Sequence, residues 1–216
     1  MHSAASREDF RKSGGPLEAF QLWVNLPKKY KMVPPRYQDI RSNDIPISPL
    51  PGGAVGSTVK IVSGNFNGVT GACSTLHPVN FFDIRLKPGD TITMPIPHPN
   101  HVAFLYVFRG LCEIIGDVDQ TKLRAGQGTS LVDGVQVTVT CPSDTPNVAV
   151  PAPHGSGPEY QSVGAAFILL IGEPIFEPLA RAGPFVMNTE DEIKQCFLDY
   201  RSGKIAADSR VSPKEL

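Results

Sequence analysis

The chain has 216 residues, and its 20 Lys and Arg nearly balance 21 Asp and Glu. The resulting net charge of −1 offers no long-range field to draw in nucleic acid or an anionic membrane, so direct DNA binding is not expected. No apolar run approaches the roughly 20 residues that cross a bilayer, and Met1–Asp9 lacks the basic-then-apolar order of a secretory signal, so a soluble intracellular protein is expected.

Residues 1–16 are polar, carry Gly14-Gly15-Pro16 and show neither helical nor strand periodicity, which reads as a flexible arm. Order is expected from Leu17. The β-branched and aromatic content of Phe20-Gln21-Leu22-Trp23-Val24-Asn25-Leu26 ahead of Pro27 predicts a strand covered on both faces. Lys28-Lys29-Tyr30-Lys31 reads as a solvated loop rather than a nucleic-acid patch. The prolines of Pro34-Pro35 and Ile45-Pro46-Ile47-Ser48-Pro49 remove backbone donors and bias their predecessors away from helix, so this stretch is expected to be an extended connection.

Alternation then marks Thr58–Ser63, with further strands at Asn80–Leu86, Thr91–Pro95, Ala103–Phe108, Leu111–Ile115, Gly128–Val132, Val135–Thr140 and Ala165–Ile171. Turn chemistry separates them, including Lys87-Pro88-Gly89-Asp90, Arg109-Gly110, Gly116-Asp117 and Asp133-Gly134. Short strands at near-regular spacing without helical patterns between them predict a mostly β fold, a jelly-roll β-barrel over about Thr58 to Ile171. The last element differs. Thr189 ahead of Glu190-Asp191-Glu192 forms a capping-box pattern, Ile193, Cys196, Phe197 and Tyr200 share one helical face, and Gly203 supplies a stop. A C-terminal α-helix over Thr189–Ser202 follows, and residues 204–216 read as a flexible tail.

The candidate chemistry is sparse. Cys73, Cys112, Cys141 and Cys196 form no Cys-x-x-Cys pair and read as free thiols. His98-Pro99-Asn100-His101 places two imidazoles on a turn, but no glutamate follows on the next strand to complete a metal set, so a surface turn is expected. His77 and His154 read as loop residues, and Asp117 and Asp119 as the solvated end of a hairpin rather than an acid/base pair. No nucleophile elbow, phosphate loop or His-Glu-x-x-His occurs, and Gly126-Gln127-Gly128 lacks the helix that phosphate binding needs.

Phe20-Gln21-Leu22-Trp23-Val24-Asn25-Leu26-Pro27 and Gly183-Pro184-Phe185-Val186-Met187-Asn188-Thr189 are runs of unusual residues in fixed order. Both resemble the pirin family, whose members carry two cupin barrels in tandem. The resemblance covers about Leu17 to Gly203, with supporting matches at Pro35-Arg36-Tyr37-Gln38, Lys87-Pro88-Gly89, Gly172-Glu173-Pro174-Ile175 and Asp199-Tyr200-Arg201-Ser202-Gly203. It implies that residues 17–57 correspond to the interdomain segment and residues 58–203 to the second cupin barrel with its terminal helix. The family's iron-binding first barrel would lie upstream.

Family members hold iron through three histidines and a glutamate of that first barrel, the last two in a His-Ser-Glu or His-Ala-Glu tripeptide. His2 would match the third histidine, as a vestigial metal ligand, while Ala4 stands where the glutamate should be. No cofactor is therefore expected in this chain, although iron is expected in full-length relatives. The resemblance implies a noncatalytic protein-interaction module, like a transcription coregulator, in the cytoplasm or nucleus. The alternative is an iron-dependent quercetin 2,3-dioxygenase represented by a truncated sequence. In a full pirin the Trp23 segment runs between the barrels, so Leu22, Trp23, Val24 and Leu26 are expected to be partly exposed here and available to a protein partner or a second copy.

Overall fold

The computed structural model describes residue 12 and residues 19–116, 119–151 and 160–207. A helical turn α1 (Lys28–Lys31) and a 3₁₀ turn at Ser42–Asp44 precede the first strands, β1 (Ile47–Pro49), β2 (Thr58–Ser63), β3 (Asn65–Phe66) and β4 (Val69–Thr70). There follow β5 (Val79–Leu86), β6 (Thr91–Pro95), β7 (Val102–Ile115), β8 (Gln120–Arg124), β9 (Gly128–Leu131), β10 (Gln136–Thr140), β11 (Val148–Pro151), β12 (Tyr160–Val163) and β13 (Ala165–Gly172). The chain closes with β14 (Ala180–Ala182), β15 (Phe185–Met187), α2 (Glu190–Arg201) and α3 (Lys204–Ala207). Residues 38–174 form one compact unit, and the described residues before 38 and after 174 form another.

In the larger unit an antiparallel sheet runs in the order β1-β2-β5-β13-β7-β10-β6, with β8 and β9 also on β7. The long strand β7 is what curls it. Its first half pairs with β13 on one side and β9 on the other, while Leu111–Ile115 pair with β8 and β10. Gly110 sits at the changeover with φ 67, a left-handed conformation that glycine adopts without steric cost. The Arg109-Gly110 pair, expected as a hairpin turn, instead bends one continuous strand, because both of its halves find partners on either side of the bend.

Alternation along the strands fills the interior, as the burial of every second residue in β2 and β6 shows. Phe82, Ile84, Leu105, Val107, Phe167 and Leu169 meet Ile92, Met94, Ile114, Val137 and Val139 in a single core cluster, so the sheet is folded around one apolar centre. The strand β13 is buried on both faces for most of its length. Its outward Ala166 packs with Val150 and Val163 of the β11–β12 ribbon, which no sequence signal marked because prolines and glycines flank both short strands. The turn Lys87–Asp90 is anchored by the Asp90 carboxylate, which accepts from the Ala54 amide at 2.9 Å and from the Ser57 hydroxyl, while Ser57 Oγ accepts from the Lys87 amide at 2.8 Å.

The smaller unit is built on a hairpin and a capped helix. Gly183, with φ 55, and Pro184 join β14 to β15, a positive φ followed by proline's fixed negative φ as a II′ hairpin turn asks. At the start of α2 the Thr189 hydroxyl accepts from the Glu192 amide at 3.2 Å and the Glu192 carboxylate accepts from the Thr189 amide at 3.0 Å, so the expected capping box is formed. Ile193 is buried. The Phe185 ring lies edge-on to Phe197 at 5.1 Å and to Tyr200 at 6.1 Å.

Two expectations for this unit are revised. Residues 20–26 carry no regular secondary structure, since no described segment offers a ladder to pair with them, and Phe20, Leu22, Trp23 and Val24 are exposed, which fits the partial exposure expected of this segment and not a strand covered on both faces. Lys28–Lys31, expected as a loop, form one helical turn after Pro27. No helix among the described residues is long and apolar enough to cross a membrane.

Candidate functional site

The two motif segments that stand far apart in sequence meet in the smaller unit. A one-turn helix leaves its amide groups unsatisfied, and the first of them, on Lys28, donates to the Glu177 carboxylate at 2.7 Å. The same carboxylate oxygen accepts from the Asn188 side-chain amide at 2.9 Å, and that amide also donates to the Pro178 carbonyl at 3.0 Å. Glu192 accepts from the backbone of Asn188 and Thr189, each at 3.0 Å, and pairs with the Lys28 ammonium at 3.1 Å. Lys31 completes the clasp by donating to the Asn25 side chain and, at 3.3 Å, to the Val186 carbonyl.

The charges of this clasp follow its packing. Partial burial lowers the Lys31 pKa, and the nearby Glu177 and Glu192 carboxylates oppose that shift. Glu192 is held below the usual carboxylate range, first by its contact with Lys28 and then by the backbone amides of Asn188 and Thr189. Carboxylates that accept several donors at once orient the chain around them, so the clasp ties the Lys28–Lys31 turn after residues 20–26 to Glu177 and the start of α2.

Beside this polar clasp stands apolar surface. Trp23 is 58% exposed, with the Arg181 guanidinium 5.7 Å from its ring centroid, and Phe20, Leu22 and Val24 are exposed too, while Leu26 is half-buried. Phe176 is 86% exposed and has φ 51, and Leu179 is 61% exposed. A left-handed conformation costs an L-residue roughly 1–2 kcal/mol. Phe176 combines that strained backbone with a solvent-exposed ring, between Pro174 and Pro178 in sequence. Neither Phe176 nor Arg181 stood out from the sequence, because a positive φ without glycine carries no local signal; the paired prolines around Phe176 were the only hint.

A second candidate lies in the larger unit. A cleft of about 230 Å³ is lined by residues including Ile96, His101, Ile114, Asp133, Gln136 and Val137. His101 Nδ1 is buried there without a hydrogen-bond partner, and the ring lies 5.7 Å from that of His98. His98 and His101 occupy the surface turn before β7, as their spacing implied. His77 is on a loop but buried, and its Nε2 donates to the Glu173 carbonyl at 2.8 Å, a structural tie. Asp119 is exposed at the end of the β7–β8 hairpin; His2, Asp117 and His154 lie outside the described residues.

Comparison with known proteins agrees with the curled sheet and its capped terminal helix. The Pirin C-terminal cupin domain matches residues 81–206. The chain belongs to the pirin family. It is 34% identical to Pirin of Homo sapiens over 189 residues, covering 88% of this chain and 57% of that protein. Pirin-1 of Arabidopsis thaliana is 33% identical over 184 residues, covering 85% and 56%. Among solved structures, a quercetin 2,3-dioxygenase from Acinetobacter baumannii superposes with a TM-score of 0.66 at 28% identity, covering 84% of this chain and 55% of that one. The chain thus spans a little over half the length of these relatives.

A cupin barrel can aim side-chain donors at one metal, but the described part of this pirin does not fit that use. The buried side chains of β6, β7 and β10 are hydrocarbon apart from the thioether of Met94 and the thiol of Cys112. No three His, Cys, Asp or Glu side chains among the described residues converge as a metal site, and the His98–His101 pair by itself supplies too few donors to set a coordination geometry.

Proposed function

We propose that this portion of the pirin fold acts as a noncatalytic protein-interaction module, of the kind a transcription coregulator uses, and that it docks through the Trp23 and Phe176 surface. The carrying observation is the exposure of Trp23, Phe176 and Leu179 in one compact unit whose clasp holds the backbone in place. Large aromatic side chains held out on ordered backbone are what hot spots at interfaces are made of, since they desolvate much area at little entropic cost. A protein surface or a second copy of the chain supplies the apolar cover; the chain's near-neutral charge does not favour nucleic acid.

Sedimentation velocity of the full chain over a wide concentration range tests self-association as the directly accessible form of this docking. Concentration-dependent association that Trp23→Ala abolishes is the expected result. A strictly monomeric profile with the fluorescence of a fully buried indole would overturn it. A second reading, iron-dependent oxygenation of quercetin, draws support from the named activity of the Acinetobacter relative. Anaerobic loading with ferrous iron and a quercetin consumption assay separate the two. About one tightly held iron per chain with turnover that depends on it favours the second reading, and loss of either in His2→Ala, His98→Ala or His101→Ala would locate its ligands.

A further inference from the structure

Cys112 and Cys141 are far apart in sequence, but the strand register brings them face to face. The strands β7 and β10 pair with Thr138 opposite Ile115, Val139 opposite Ile114 and Thr140 opposite Glu113. One step further along the same register sets Cys141 opposite Cys112. Opposed residues of an antiparallel pair project to the same face, and here it is the inner one: Cys112 and Cys141 are fully buried, as are Val139 and, nearly so, Ile114.

The backbone of Cys141 decides which kind of pair this is. Its amide donates to the Asp90 carbonyl at 2.9 Å and its carbonyl accepts from the Gly89 amide at 2.8 Å, so both groups point toward the β6 side and away from β7. Toward Cys112 the pair is therefore of the non-hydrogen-bonded type, in which Cα atoms approach to about 4.5 Å and side chains come closest. Disulfides span Cα separations of about 4.4–6.8 Å, so this pair lies within reach at the short end of the range. Both thiols are free in the structure. Opposite them, a Cβ on Gly164 would collide with Cys141 Sγ, so glycine there leaves the sulfur its space.

We propose that Cys112 and Cys141 form a buried cross-strand dithiol that closes to a disulfide when the protein meets a peroxide, tying the outer half of β7 to the end of β10. In the first step the Cys141 thiolate attacks one peroxide oxygen, forming a sulfenic acid and releasing hydroxide. The Cys112 thiolate then displaces hydroxide from that sulfur to form the S–S bond. Two thiols and one hydrogen peroxide become one disulfide and two waters.

Burial keeps the peroxide out as well as opposing ionisation of both thiols, pushing Cys112 up to about 12 and raising Cys141 as well, so closure waits on local opening of the β7–β10 edge, is slow at neutral pH and accelerates as pH rises. The rate should climb about tenfold per pH unit where thiolate formation limits it. Such slow closure makes the pair responsive to sustained oxidation rather than to a brief pulse.

The test is oxidation of the folded full chain with hydrogen peroxide at several pH values, then denaturation, alkylation and peptide mapping without reductant. The expected product is a Cys112–Cys141 linked peptide, lighter by two hydrogens, reversed by a dithiol reductant and absent from Cys112→Ser and Cys141→Ser. It should form in a chain that also carries Cys73→Ser and Cys196→Ser. Recovery of Cys112 and Cys141 as fully alkylatable thiols after prolonged exposure at alkaline pH would overturn the proposal. So would linked peptides that join either residue only to Cys73 or Cys196. If the single serine variants unfold, the same mapping on the wild-type chain still decides the matter.

Discussion

Replacing Gly110 by alanine attacks the bend on which the curled sheet depends. At φ 67 an alanine pays roughly 1–2 kcal/mol for the left-handed backbone alone. Its Cβ would overlap the Gly164 carbonyl oxygen and sit 2.8 Å from the Gly164 carbonyl carbon and 3.2 Å from Ala165 Cα, all backbone atoms that cannot rotate away. Relief requires moving the start of β13, which loosens the Leu111 amide to Gly164 carbonyl bond at 3.2 Å and the Gly164 amide to Leu86 carbonyl bond at 2.8 Å. Each such bond contributes about 0.5–1.5 kcal/mol net, and overpacking of a tight site costs about 1–3 kcal/mol. The total loss should be about 3–8 kcal/mol, a large share of a typical domain's stability. Gly126→Ala is the control, because its φ of 89 carries the same backbone penalty while a Cβ there meets nothing within 4 Å. Urea denaturation followed by far-UV circular dichroism measures both. A Gly110→Ala loss no larger than that of Gly126→Ala would refute the claim that close approach of β7 and β13 at Gly164 shapes the sheet.

Phe167, fully buried in the core, should cost about 3–5 kcal/mol as Phe167→Ala in the same assay. Phe176→Asn should leave stability unchanged or raise it by up to about 1 kcal/mol, because asparagine tolerates φ 51 better and the lost ring is 86% exposed; the same variant should weaken association in sedimentation. Glu192 titrates below its ordinary value of 4.5 in the folded chain, so its contribution is present above that value and disappears as pH falls through the lowered one. Glu192→Gln should therefore lower the thermal midpoint at neutral pH, with the gap to the wild-type chain closing below about pH 4.5. A gap constant across that range would show that the carboxylate's charge is not what the clasp uses.

The strands Thr91–Pro95 and Thr58–Ser63 and the Thr189–Glu192 cap were legible because their causes lie within a few residues, whereas Gly183-Pro184 stood out as a family motif and not as the hairpin turn it makes. Side-chain alternation sets which face is buried, and a hydroxyl three residues before a glutamate can satisfy a helix start on its own. The family resemblance was likewise carried by local runs. Tertiary structure decided what depends on neighbours in space. Gly110 reads as a turn until β13 and β9 flank one half of β7 and β8 and β10 the other. The Trp23 segment has strand composition, yet a strand exists only where another backbone offers a ladder. Lys28 and Glu177 lie 149 residues apart, and Cys112 meets Cys141 only through the register of two strands. Phe176 takes a left-handed φ that its own side chain disfavours, so the surrounding fold must impose it. Local chemistry thus wrote the elements, and the energy of bringing distant backbone together selected the bend, the clasp and the exposed aromatic surface.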